Sequence, residues 1–84
     1  MKQTIRDILA RHGGLPAPVA DLADDGDLYA AGLSSFASVQ VMLAVEEAFD
    51  VEFPDTLLNR KSFQSIAAIT RTVESLVGST EAAE

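Results

Sequence analysis

Gly32-Leu33-Ser34-Ser35-Phe36-Ala37-Ser38-Val39-Gln40-Val41-Met42-Leu43-Ala44-Val45-Glu46-Glu47-Ala48-Phe49 is the stretch on which the fold turns. On a wheel of about 100° per residue from Ser35 onward, Val41, Met42, Val45, Ala48 and Phe49 share one arc, the core stripe of an amphipathic helix. Phe36, Val39 and Leu43 share a second arc roughly opposite, flanked by Gln40, Glu46 and Glu47. A domain this small cannot easily bury both faces of one helix. The first arc is therefore expected in the core, and the second as an exposed apolar strip with an acidic edge, as contact surfaces have. A central helix packed on both sides is the alternative. Ser34 or Ser35 caps this helix, which runs to about Phe49.

Upstream, Ile5, Ile8 and Leu9 stand at i, i+3 and i+4, predicting a short helix over 2–11 that His12-Gly13-Gly14 ends, with Pro16 and Pro18 preventing its resumption. The long connection to Ser34 contains Leu22, Leu28 and Tyr29, which can pin it to the core. Asp27 can cap a turn through Ala31 that Gly32 closes. Downstream, Asp50-Val51-Glu52-Phe53-Pro54 reads as an extended link, because the residue before a proline is pushed out of helical angles. Asp55 can cap a short third helix to about Arg60. Ser62 is expected to start a fourth, with Ile66, Ile69, Val73, Leu76 and Val77 at helical spacing and Gly78 at its end. The expectation is all-α: one domain over 1–78, three main helices plus one short helix, and a polar tail over 79–84.

The 84 residues carry a formal charge of −7, with 48% apolar and only 6% aromatic residues, which suits a small bundle closed by Val, Ile, Leu and Ala. Net negative charge argues against nucleic acid and anionic membranes as partners and toward basic protein surfaces. No Lys or Arg lies between His12 and Asn59, whereas nine of the 13 acids do, so the acidic block contains Ser35. The absence of cysteine removes disulfides, thiolate metal sites and thiol nucleophiles. Residues 1–7 lack the apolar core of a signal peptide, and no segment is long enough to span a bilayer, which makes a cytoplasmic monomer the expectation.

No enzymatic constellation and no metal site is expected. His12 stands alone beside two glycines. Asp24-Asp25-Gly26-Asp27 lacks the alternating ligands and closing glutamate of a calcium loop. Glu46 and Glu47 are adjacent on a helix and point about 100° apart, so they do not converge on one substrate atom. Ser35 is different. With two serines at the helix start, one can cap while the other faces outward, and a phosphodiester there would meet free backbone N–H groups and the positive end of the helix dipole.

Gly32-Leu33-Ser34-Ser35-Phe36, followed by a helix ending in Glu46-Glu47-Ala48-Phe49-Asp50 and a turn into Pro54, resembles the acyl carrier protein family. The resemblance covers nearly the whole chain and implies that Ser35 carries 4′-phosphopantetheine, whose terminal thiol holds cargo as a thioester. It implies a carrier without catalytic residues, served by a phosphopantetheinyl transferase, a loading enzyme and a downstream acceptor enzyme. Fatty-acid carriers usually have acids where this chain has Ser34, Ala37 and Gln40. Together with Leu57-Leu58-Asn59-Arg60-Lys61-Ser62-Phe63, this is similar to stand-alone aminoacyl carrier proteins, loaded by amino acid:carrier protein ligases that resemble seryl-tRNA synthetase cores. Partner contacts are then expected at Phe36, Val39, Leu43, Glu46, Glu47, Arg60 and Lys61. A carrier of fatty acyl or polyketide chains is the alternative, and a cofactor-free acidic interaction module a more remote one.

Overall fold

The structure, a computed structural model, describes the backbone of residues 1–82 and the side chains of residues 1–77. Three helices form it: α1 (Lys2–His12), α2 (Ser35–Phe49) and α3 (Ile66–Ala82), with no strand among the described residues. Helix α1 packs against both α2 and α3, burying Ile5, Ile8 and Leu9 as their spacing predicts. Val41 and Val45 of α2 and Ile66, Ile69 and Val73 of α3 are fully buried against them. The two-faced reading of α2 holds. Phe36, Val39 and Leu43 remain 75%, 48% and 51% exposed. Ala48 departs from it: it is exposed, in a depression between α1 and the last turn of α2. Ala37, which the wheel left out of the stripe, is buried.

The connection from α1 to α2 is ordered by polar contacts. The Arg6 guanidinium donates to the carbonyls of Val19 (2.8 Å) and Leu22 (2.9 Å) and to the Asp24 carboxylate (2.7 Å), stapling the 3-10 turn Val19–Asp21 and its exit to α1. Lys2 adds a 3.2 Å contact to the same carboxylate. Hydrogen bonding from Arg6, then from Lys2, holds the Asp24 carboxyl below the usual carboxylate range. The loop is also tied to α3 and to the turn before it: the Ala67 amide donates to the Asp24 carbonyl and the Leu28 amide to the Gln64 carbonyl, both at 2.7 Å. Leu28 is buried, with Leu22 and Tyr29 packed beside the core. Asp27 caps the turn as expected, accepting from Tyr29 and Ala30. Gly32 closes it at φ 118°, where a Cβ would also lie 2.8 Å from Pro16 Cδ.

Helix α2 ends at Asp50, in the left-handed region at φ 53°, ψ 51°. The extended link that follows is held by the Glu46 carboxylate, which accepts the Phe53 amide at 2.9 Å. Phe53 is buried and stacks on Phe63 with ring centroids 5.3 Å apart.

The short third helix expected over Asp55–Arg60 is instead two 3-10 turns, Asp55–Leu57 and Arg60–Phe63. Asp55 makes no side-chain cap there. Asn59 breaks the run: its backbone is extended, and its side chain accepts the Ser62 amide at 3.0 Å, the local competition that disfavours Asn within helices. Ser62 thus belongs to this capped turn. Ser65 starts α3, accepting the Ala68 amide at 3.0 Å. Helix α3 continues through Gly78 to Ala82, since a lone glycine costs a helix only about 1 kcal/mol and does not force a stop. Of the expected polar tail, residues 83 and 84 lie outside the described residues.

Candidate functional site

The start of α2 assigns different tasks to its two serines. Ser34 is extended, at φ −81° and ψ 163°, and its hydroxyl accepts the Ala37 amide at 3.0 Å, so Ser34 is the cap. Ser35 is the first helical residue, exposed, and its hydroxyl takes no part in the cap. The Ser35 carbonyl accepts the Ser38 hydroxyl at 2.7 Å, which fixes the backbone beneath it. An anion bonded at this position meets the positive end of a 15-residue helix.

Beside Ser35 opens a groove of about 350 Å³, walled by Val39 and Met42 of α2 on one side and Tyr29, Leu58 and Arg60 on the other. Arg60 lies over the Tyr29 ring, Cζ 4.1 Å from its centroid. An exposed hydroxyl at the head of a half-apolar groove fits the attachment of a long flexible arm. Neither feature alone would.

The other residues expected at partner contacts divide. Phe36, Val39 and Leu43 form one exposed strip descending from Ser35, and Leu58, 45% exposed and missed in the sequence, extends it across the groove. Only the groove shows that Leu58 belongs to this surface. Glu46 is half-buried, with one carboxylate oxygen engaged by the Phe53 amide, so it holds the link after α2. Glu47 is exposed on the side facing α1, in a depression shared with Arg11 and His12. Arg60 lines the groove with Ser35, whereas Lys61, also exposed, does not. Ala37 is buried, so its lack of charge says nothing about docking; the comparison with fatty-acid carriers rests on the exposed Ser34 and Gln40.

Residues 3–73 match the family described as "Phosphopantetheine attachment site". An aminoacyl carrier protein of Agrobacterium fabrum is 66% identical over 83 residues, covering 99% of this chain and 100% of that one. A carrier protein from Agrobacterium tumefaciens, solved with an engineered Bradyrhizobium japonicum glycine:carrier protein ligase and AMP, is 70% identical with a TM-score of 0.87, covering 88% of this chain and 99% of that one. The glycylated carrier protein in complex with the Bradyrhizobium japonicum glycine:carrier protein ligase is 28% identical with a TM-score of 0.72, covering 84% of this chain and 95% of that one. Helix order and these likenesses agree with one another. The chain belongs to the phosphopantetheine attachment-site family of carrier domains, as a homologue of the aminoacyl carrier proteins.

Proposed function

We propose that Ser35 carries 4′-phosphopantetheine and that the chain holds an activated amino acid for transfer between partner enzymes. The observation that carries this reading is the division of labour at the start of α2: Ser34 caps, and the exposed Ser35, its hydroxyl outside the cap, lines a groove. When bound, the arm supplies a terminal thiol, which holds the aminoacyl group as a thioester in a chain with no cysteine. The chain's own residues anchor and present. The Ser35 oxygen forms the link to the arm, and Phe36, Val39 and Leu43 offer an apolar surface to each partner beside it. Glu47 and Lys61, both exposed, supply charge that tunes partner choice more than affinity.

The partners are a phosphopantetheinyl transferase, an amino acid:carrier protein ligase and a downstream acceptor enzyme, met by a cytoplasmic monomer with no catalytic residue of its own. No described helix is long and apolar enough to cross a membrane. Glycine is the first amino acid to test, because related carriers were solved with glycine:carrier protein ligases. Co-expression with a transferase followed by intact mass measurement should show the mass of one arm, lost in Ser35→Ala. Incubation with a ligase, ATP and glycine should then add one glycyl group. An unchanged mass after several transferases overturns the assignment. The groove beside Ser35 also favours a second reading, an acyl-chain carrier. In that case fatty acyl donors, and no amino acid, load the holo-protein, and stability rises with chain length.

A further inference from the structure

Arg60 differs from the other engaged cations of this chain. Lys2 and Arg6 are spent on Asp24. Arg60 instead lies over the Tyr29 ring at 4.1 Å, and no hydrogen bond or ion pair engages its guanidinium among the described residues. A cation–π contact fixes the position of the charge and leaves the five N–H donors available. The groove that Arg60 lines with Ser35 contains no carboxylate. In a chain of charge −7, the one charged side chain lining the groove beside Ser35 is thus a cation.

We propose that Arg60, seated on Tyr29, is the positioning residue for the phosphodiester on Ser35, holding the first part of the arm along the Val39–Met42 wall in the free holo-protein. This rests on Ser35 being the attachment point. A guanidinium suits the task because its planar fork pairs with two phosphate oxygens while its face stacks on an aromatic ring. The pairing is exposed, so salt weakens it, and the arm remains free to leave for a partner's active site. The neighbouring Lys61 has the same charge but lies outside the groove. It separates a positioned cation from mere net charge.

Two signals isolate this contact. The arm brings the single phosphorus atom of the holo-protein, and Tyr29 is the sole tyrosine in a chain without tryptophan. Wild type, Arg60→Gln, Arg60→Lys and Lys61→Gln are prepared apo and holo, with intact mass verifying the arm and circular dichroism the fold. Conversion to holo is expected to change Tyr29 emission in wild type and Lys61→Gln, to lose that change in Arg60→Gln, and to keep part of it in Arg60→Lys. The ³¹P resonance should move in Arg60→Gln toward that of the unfolded holo-protein and stay in place in Lys61→Gln. Wild-type holo-protein in high salt should move the same way, an arm that needs no variant. Equal ³¹P positions in wild type and Arg60→Gln, or equal displacements in Arg60→Gln and Lys61→Gln, overturn the role of Arg60 while leaving Ser35 intact. An arm that never attaches, or that attaches to Ser35→Ala, removes the attachment point and this proposal with it.

Discussion

The Ser34 hydroxyl accepts the Ala37 amide at 3.0 Å, and this one bond makes Ser34 the cap and leaves the Ser35 hydroxyl outside it. Removing it leaves a helix-start amide without its partner, so Ser34→Ala should lower unfolding free energy by about 1 kcal/mol. Ser35→Ala, at an exposed hydroxyl outside the cap, should stay within about 0.5 kcal/mol of wild type. Urea unfolding measures both. The modification should follow the opposite order, with Ser35→Ala unmodified and Ser34→Ala still able to gain the arm.

Acid should loosen the loop between α1 and α2. Arg6, then Lys2, holds the folded Asp24 carboxyl below its ordinary value, so the unfolded chain takes up a proton at higher pH than the folded one does. The stabilisation is complete above the unfolded value near pH 4 and is lost as pH falls through the lower folded value. The stability difference between wild type and Asp24→Asn should therefore be constant from neutral pH down to about pH 5 and shrink toward about pH 2. A difference that grows on acidification would mean that folding raises the Asp24 carboxyl instead of lowering it, against the contacts from Arg6 and Lys2. Arg6→Ala should lose the staple at every pH, exposing the Val19–Leu22 segment to faster amide exchange.

The strip below Ser35 and the core behind it should separate function from folding. Phe36→Ala removes a ring that is 75% exposed and should change stability by less than about 0.5 kcal/mol. Ile69→Ala, at a position with no exposure, should cost about 2–5 kcal/mol. If the strip is the docking surface, Phe36→Ala slows loading by a ligase although the protein melts like wild type. Unchanged loading of Phe36→Ala would move docking elsewhere, with Leu58 on the far side of the groove as the next position to test.

What could be read in the chain follows from what periodicity encodes. Val41 and Val45 inside and Phe36, Val39 and Leu43 outside came directly from the wheel, because burial on one face of an isolated helix is a local pattern. Ser34 and Ser35 could both be caps by residue type; the family resemblance assigns the arm to Ser35, and backbone angles with the Ala37 bond make Ser34 the cap. The segment from Asp55 to Ser65 misled for a different reason. Asp55, Ser62 and Ser65 are all plausible helix starters, and the choice fell to Asn59, whose side chain closes a turn onto Ser62 and passes the cap of α3 to Ser65. The Arg6 staple and the seat of Arg60 on Tyr29 join residues 13 or more positions apart. No local pattern carries such contacts.

Asp50 should be the easiest position at which to strengthen the protein. It is the sole non-glycine residue with positive φ among the described residues, at φ 53°, and it ends α2 with its amide on the Glu46 carbonyl. The left-handed conformation costs an L-residue with a Cβ, though Asp and Asn tolerate it better than most. Its negative charge also sits at the negative end of the helix dipole, and the last turn of α2 contains no basic residue to offset it. Asp50→Asn removes the charge and keeps the tolerance, so it should raise stability by about 0.5 kcal/mol. Asp50→Gly relieves both effects but adds freedom to the unfolded chain, leaving a gain of up to about 1 kcal/mol. Asp50→Ala loses the tolerance, and the dipole relief should not make up for it, so it should fall below both. Thermal unfolding of the three variants decides it: Ala as stable as Gly would mean that backbone conformation at this helix end contributes little and charge alone governs.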